Sequence, residues 1–206
     1  MESFTYLGSV VHNNGRSDEE VTRRLGLAWG VMDSLNRSIW RCRYLCRRTK
    51  LRVFKTLVIP VLLYGCETWT LNSALKRRIN SFGTRCLRRI MGYTWRDRVS
   101  NQRLFRETDS RPITSQIEER QLRLYGHVAR LPEDDPAHGV VSARDNPEWR
   151  RPLGRPQNSW LRQVDEYCRE LLGMGRVAAW RLARRNPQEW SRRVSAATRR
   201  RGVRPP

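Results

Sequence analysis

Between Arg37 and Lys55 the chain places eight basic side chains and no acid: Arg37, Arg41, Arg43, Arg47, Arg48, Lys50, Arg52 and Lys55. Trp40, Tyr44 and Phe54 are interleaved with them. A guanidinium fork grips phosphate through two parallel hydrogen bonds, and both guanidinium planes and aromatic rings stack on bases. The pattern predicts a nucleic-acid contact, with the eight bases on the phosphate backbone and Trp40 as the ring to test for stacking. The rest of the chain repeats the bias. Thirty-eight arginines and three lysines stand against twenty acids in 206 residues, a formal net charge of +21. A folded chain this basic repels itself unless a polyanion is near. Nucleic acid (RNA, DNA or the hybrid) is therefore the expected partner, recognised by shape and charge with low sequence specificity.

Other chemistry has little support. His12, His127 and His138 are the only histidines, and none has a Ser, Cys or carboxylate at a spacing that argues for a triad. Glu133-Asp134-Asp135 is the one acidic cluster that could mimic a metal-holding pair, but Pro132 and Pro136 flank it and it reads as a solvated loop. Cys42, Cys46, Cys66, Cys86 and Cys168 form no Cys-x-x-Cys pair and read as reduced thiols. A zinc site from Cys42, Cys46 and His127 would match no common zinc module. There is no P-loop. No cofactor and no metal are expected. No apolar run approaches the roughly 20 residues of a membrane span, and the N-terminus lacks a signal-peptide pattern. No membrane partner is expected, and the location should be intracellular, nuclear or cytoplasmic.

The elements that must position the basic residues are mostly helices. Phe4 to Val11 is strand-like, with Asn13-Asn14-Gly15 as the turn signal after it. Ser17 and Glu20 have capping-box spacing, and Val21, Leu25, Ala28, Met32, Leu35 and Ile39 trace one helical face, with Arg23, Arg24 and Arg37 opposite. A second helix is expected from about Thr49, kinked or restarted at Pro60. Its stretch from Leu57 to Tyr64 is the most apolar in the chain and should be central. Leu75, Ile79, Phe82, Cys86 and Ile90 define a third buried face over residues 73–91, capped by Gly92 and lined elsewhere by Arg77, Arg78, Arg85, Arg88 and Arg89. Shorter helices are predicted over 99–105 and 112–131. Five prolines break up 132–157. Beyond it a helix should run from Trp160 to Gly173, with two more centred on Trp180 and Trp190. Trp69, Trp160 and Trp180 read as packing anchors.

The fold class expected is mainly α. A short N-terminal β segment (1–16) precedes a helical domain (17–110), a connecting helix (111–131), a Pro-rich linker (132–157), a basic helical segment (158–198) and a disordered tail (199–206).

Three stretches together carry a resemblance: Tyr6-Leu-Gly-Ser9, then Val58-Ile-Pro-Val-Leu-Leu-Tyr-Gly-Cys-Glu-Thr-Trp69, then Cys86-Leu-Arg-Arg-Ile-Met-Gly92 with Trp95 and Asp97. In order and spacing they resemble the region after the catalytic palm in reverse transcriptases of non-LTR (LINE-type) retrotransposons. Arg123-Leu-Tyr-Gly-His-Val-Ala-Arg-Leu131 and Gly154-Arg-Pro-Gln-Asn-Ser-Trp160 resemble that family's C-terminal part. The resemblance implies a primer-grip role for Tyr6, Leu7 and Gly8, and a thumb-like bundle that clamps the template–primer duplex.

It also implies that the magnesium-holding carboxylates of polymerisation lie upstream of Tyr6, so this chain is not expected to be an enzyme by itself. Three functions remain open: a non-catalytic nucleic-acid-binding fragment, the C-terminal piece of a split reverse transcriptase completed by palm and fingers in trans, and a truncated remnant with no selected role.

Overall fold

Apolar residues recur every three or four positions along most of this chain, and the computed structural model is accordingly mainly α. It describes residues 3–6, 8–12, 15–142 and 159–200. The two strands there, β1 (Ser3–Tyr6) and β2 (Ser9–His12), pair antiparallel with Tyr6 opposite Ser9. The strands are thus linked through residues 7–8, where Gly8 has φ +75°, a conformation that glycine adopts without a Cβ clash. The expected turn at Asn13-Asn14-Gly15 is not what joins them, and residues 13–14 lie outside the described residues. The strand-like run from Phe4 to Val11 therefore folds on itself as a small hairpin.

The helices are α1 (Asp18–Ser34), α2 (Arg47–Val53), α3 (Ile59–Leu62), α4 (Ser73–Met91), α5 (Asn101–Glu107), α6 (Ile113–Val128), α7 (Pro136–Ser142), α8 (Trp160–Leu172), α9 (Arg176–Arg185) and α10 (Pro187–Arg200). Between α2 and α3, residues Phe54–Val58 form a wide π-turn, so the helical path is continuous from Arg47 through Pro60. Proline lacks an N–H and crowds the turn before it; widening that turn accommodates the ring without a break. Asn72 caps α4 by accepting from the Leu75 amide at 2.8 Å, and Gly92 ends it at φ +75°. Within the expected linker, Pro136–Ser142 is helical, and residues 143–157 lie outside the described part. Arg199 and Arg200 belong to α10 rather than to a disordered tail, of which residues 201–206 are likewise outside.

The chain divides into two compact units: residues 1–117 with 199–206, and residues 118–198. The division runs through α6. In the first unit, Val21, Ala28 and Met32 of α1 pack with Val58, Leu62 and Leu63, with Ile79, Phe82 and Cys86 of α4, and with Leu104 and Ile117. The central Leu57–Tyr64 stretch is only partly interior: Val58, Ile59, Leu62 and Leu63 are buried, whereas Leu57 and Tyr64 stand half exposed. The second unit is built on Tyr125, whose ring meets Trp180 at 5.3 Å, Trp190 at 6.3 Å and Trp160 at 6.5 Å. Trp190 lies so close to Gly126 that a Cβ there would fall 2.1 Å from its Nε1.

Candidate nucleic-acid interface

After α1 the chain makes a π-turn over Asn36–Trp40, crosses to Cys46 and enters α2. This turn sorts the basic segment into two groups. Trp40 points inward: it is buried, and its indole N–H donates to the Met32 carbonyl at 2.6 Å. Trp40 is therefore a core anchor and not a stacking platform, since a ring with both faces packed cannot meet a base. Lys50 donates to the Trp40 carbonyl at 2.8 Å, and Lys55 to the Asp109 and Thr108 carbonyls at 2.6 and 3.3 Å. Both lysines tie backbone together. The six arginines differ. Arg37, Arg41, Arg43, Arg47, Arg48 and Arg52 are all exposed, and among the described residues none has an ion pair within 4 Å.

The exposed ring of the segment is Tyr44, 99% accessible among Arg43, Arg47 and Arg48. Alternation with arginine did not separate Tyr44 from Trp40; Trp40 ends the π-turn with its ring inside, and Tyr44 lies in the bend that leads to α2. Arg47, Arg48 and Arg52 also line an open groove that reaches Met91 and Glu107. Glu107 is within electrostatic reach of Arg47 but makes no ion pair within 4 Å with it. It is held by the Tyr93 hydroxyl and by Arg103 Nε at 2.7 Å, and these bonds keep its carboxyl below the usual range.

The arginines of α4 divide in the same way. Arg88 donates to the Val99 carbonyl and Asn101 Oδ1 at 2.9 and 2.8 Å, and Arg89 pairs with Asp33 of α1 at 2.8 Å. Arg77, Arg78 and Arg85 are exposed and without an acidic partner among the described residues.

The hairpin is locked onto α1 by a carboxylate. Glu20 is buried and accepts from Ser9 Oγ (3.2 Å), the Val10 amide (3.0 Å), Arg23 Nε (2.8 Å) and Arg24 Nε (2.7 Å). Arg23 and Arg24 also reach the Gly8 carbonyl, at 2.6 and 2.5 Å. Burial alone would raise the Glu20 carboxyl; the Arg23, Arg24 and Val10 hydrogen bonds outweigh it and bring it down to about 2. Glu20 thus serves no capping box. Ser17 Oγ makes no cap bond either and accepts from the Thr70 amide at 2.8 Å. Arg24, expected on the open side of α1, is buried, with its guanidinium 4.3 Å over the Tyr64 ring. Of the three primer-grip positions, Gly8 carries the clamped carbonyl, Tyr6 ends β1, and Leu7 lies outside the described residues.

The other chemistry-bearing residues are placed as follows. Glu133 pairs with Arg184 at 3.0 Å, and Asp135 accepts from the Ala137 amide at the start of α7. Among the described residues no group of three or more His, Cys, Asp or Glu side chains could hold a metal ion. His127 is exposed, and His138 is buried 5.3 Å from Trp180. All five cysteines are free thiols; burial pushes Cys86 and Cys168 up to about 12, so they are inert. No described helix is long and apolar enough to cross a membrane.

No known family profile matches the chain, and no solved structure matches it. Among curated proteins it is similar to an uncharacterized transposon-derived protein of Caenorhabditis elegans. The two are 25% identical over 200 residues, which is 92% of this chain and 69% of that one.

Proposed function

We propose that this chain is a non-catalytic, nucleic-acid-binding part of a retrotransposon reverse transcriptase, contacting template–primer or target nucleic acid through the first unit. The observation that carries the reading is the set of six exposed arginines from Arg37 to Arg52 without an acid partner among the described residues. Exposed guanidinium groups without an ion pair among the described residues, beside an exposed Tyr44, suit phosphate gripping with a base or sugar against the ring. The similarity to a transposon-derived protein supports the same class. The clamped hairpin fits a role in holding a strand end.

The test is a titration of the purified chain against a fluorescent RNA–DNA hybrid duplex at two salt concentrations, with heparin as competitor. Six or more phosphate contacts imply an affinity loss of ~10³-fold or more between about 50 and 200 mM salt. Preference for the hybrid over heparin supports the reading; weak binding without preference overturns it.

A second reading has one observation in its favour. Phe4, Leu27, Leu57 and Tyr64 are large apolar side chains left 44–53% exposed on the hairpin, α1, the π-turn before α3 and the turn after it. A palm and fingers supplied in trans would cover such side chains, and the chain would then be one piece of a split enzyme. Recovery of primer extension on mixing with a separately expressed palm would favour it.

A further inference from the structure

Away from the Arg37–Arg52 segment, α1 and α4 enclose an open groove of about 550 Å³. Its accessible aromatic surface is the half-buried Trp29 of α1, held in place by the buried Phe82 of α4, which meets it edge to face, 4.9 Å between centroids at 83°. Its α4 rim is Arg77, Arg78 and Arg85, exposed and unpaired with any described acid. Arg78 and Arg85 are two helical turns apart, about 10 Å along the axis. Its α1 wall is lowered at Gly26, where an added Cβ would meet nothing within 4 Å. Glycine in the middle of a helix costs stability relative to alanine, so an open wall there is a local sacrifice of helix propensity that packing does not require.

We infer that the α1–α4 groove binds a single-stranded segment of nucleic acid, with a base face on the accessible part of the Trp29 ring and phosphates on Arg77, Arg78 and Arg85. The combination selects the ligand. A duplex hides its base faces in the stack and offers phosphates and edges, for which an accessible ring has no use. A single strand offers both faces and backbone, and pairs an electropositive rim with a stacking surface. An acidic peptide would satisfy the rim and leave the ring bare. The inference rests on the reading of the first unit as a nucleic-acid binder and adds a second contact, different in ligand from the Arg37–Arg52 segment.

The experiment uses the full chain and two labelled probes, an oligo(dT) of about 12 nucleotides and an RNA–DNA hybrid duplex. Gly26→Leu fills the groove without altering charge and, by helix propensity, keeps or raises Tm. It is expected to weaken oligo(dT) binding about tenfold and to leave hybrid binding within about twofold, and Arg77→Gln/Arg78→Gln/Arg85→Gln is expected to do the same. The Arg41→Gln/Arg43→Gln/Arg47→Gln/Arg48→Gln variant has the converse profile. Unchanged oligo(dT) affinity in Gly26→Leu and in the triple variant overturns the groove while leaving the proposed function standing. Loss of neither probe in the quadruple variant overturns the proposed function instead. Equal competition by polyglutamate and oligo(dT) would make the groove a generic anion site and would also overturn the inference. A circular dichroism spectrum and Tm for each variant separate lost binding from lost fold.

Discussion

Both compact units are rich in arginine, yet they compensate it to different degrees. The first has 26 basic and 9 acidic residues, a net +17; the second has 15 and 11, a net +4. In the second unit Arg123 pairs with Glu119, Arg162 with Glu166, Arg169 with Asp165, Arg184 with Glu133, and Arg192 and Arg193 with Glu189. Most are helix neighbours three or four residues apart. In the first unit the acids are held elsewhere: Glu20 by Arg23 and Arg24, Glu107 by Arg103, Asp33 by Arg89. The six arginines from Arg37 to Arg52 and the three on the α4 rim are left over. Arginine content therefore does not locate a binding surface; the surplus after local pairing does. A paired guanidinium has already exchanged its solvation for a carboxylate, and must break that contact to take a phosphate.

The largest effect expected of this contrast is on binding. Changing Arg41, Arg43, Arg47 and Arg48 together to Gln should weaken hybrid-duplex affinity about 10²-fold or more near physiological salt and lower the salt slope by about 3 to 4. The matched change in the second unit, Arg162, Arg169, Arg192 and Arg193 to Gln, should cost less than about fivefold. Equal losses in fluorescence titrations would break the comparison.

Stability sharpens it from the other side. Glu20→Gln leaves the buried Arg24 guanidinium without its counter-charge and should cost about 2–4 kcal/mol in urea unfolding. Glu189→Gln, facing two arginines that are themselves exposed, should leave the urea midpoint nearly unchanged. The glycines give a parallel pair. Gly126→Ala drives a methyl into Trp190 and should destabilise the second unit by about 1–3 kcal/mol, seen as loss of near-UV circular dichroism. Gly26→Ala should be neutral or stabilising by up to about 1 kcal/mol.

Acid separates the two carboxylates as well. The folded Glu20 carboxyl titrates at about 2 against an ordinary 4.5. Its contribution is complete above about pH 5 and drains as pH falls from 4.5 towards 2, because the unfolded chain takes up the proton first. Urea midpoints of the native chain and Glu20→Gln should converge over that range; parallel curves would show that Glu20 is not the latch. The smallest effect is on stacking: Tyr44→Ala should weaken hybrid binding by about three- to tenfold with Tm unchanged.

Several features were legible in the residues alone. Steps of three and four placed Val21, Ala28, Met32, Ile79, Phe82 and Cys86 on buried faces, and separate helices hold Trp180 and Trp190 as expected. Gly92 and Gly173 end α4 and α8 at positive φ. These follow from local stereochemistry, which a short window contains. The misreadings share one cause. Ser17 and Glu20 have capping-box spacing, but the hairpin and Thr70 offered them better partners, 10 and 53 residues away in the chain. Trp40 and Tyr44 are both rings among arginines, and a π-turn sends one to the core and leaves the other in water.

What the sequence determined by itself, then, is the helical class, the apolar faces and the surplus of positive charge, because periodicity and composition are properties of the chain. Which arginines stay without an ion pair, which ring is exposed, and whether Gly26 opens a wall or Gly126 admits a tryptophan were decided by the tertiary structure. Each depends on which residues distant in the chain come within hydrogen-bonding or van der Waals range, and packing alone sets that.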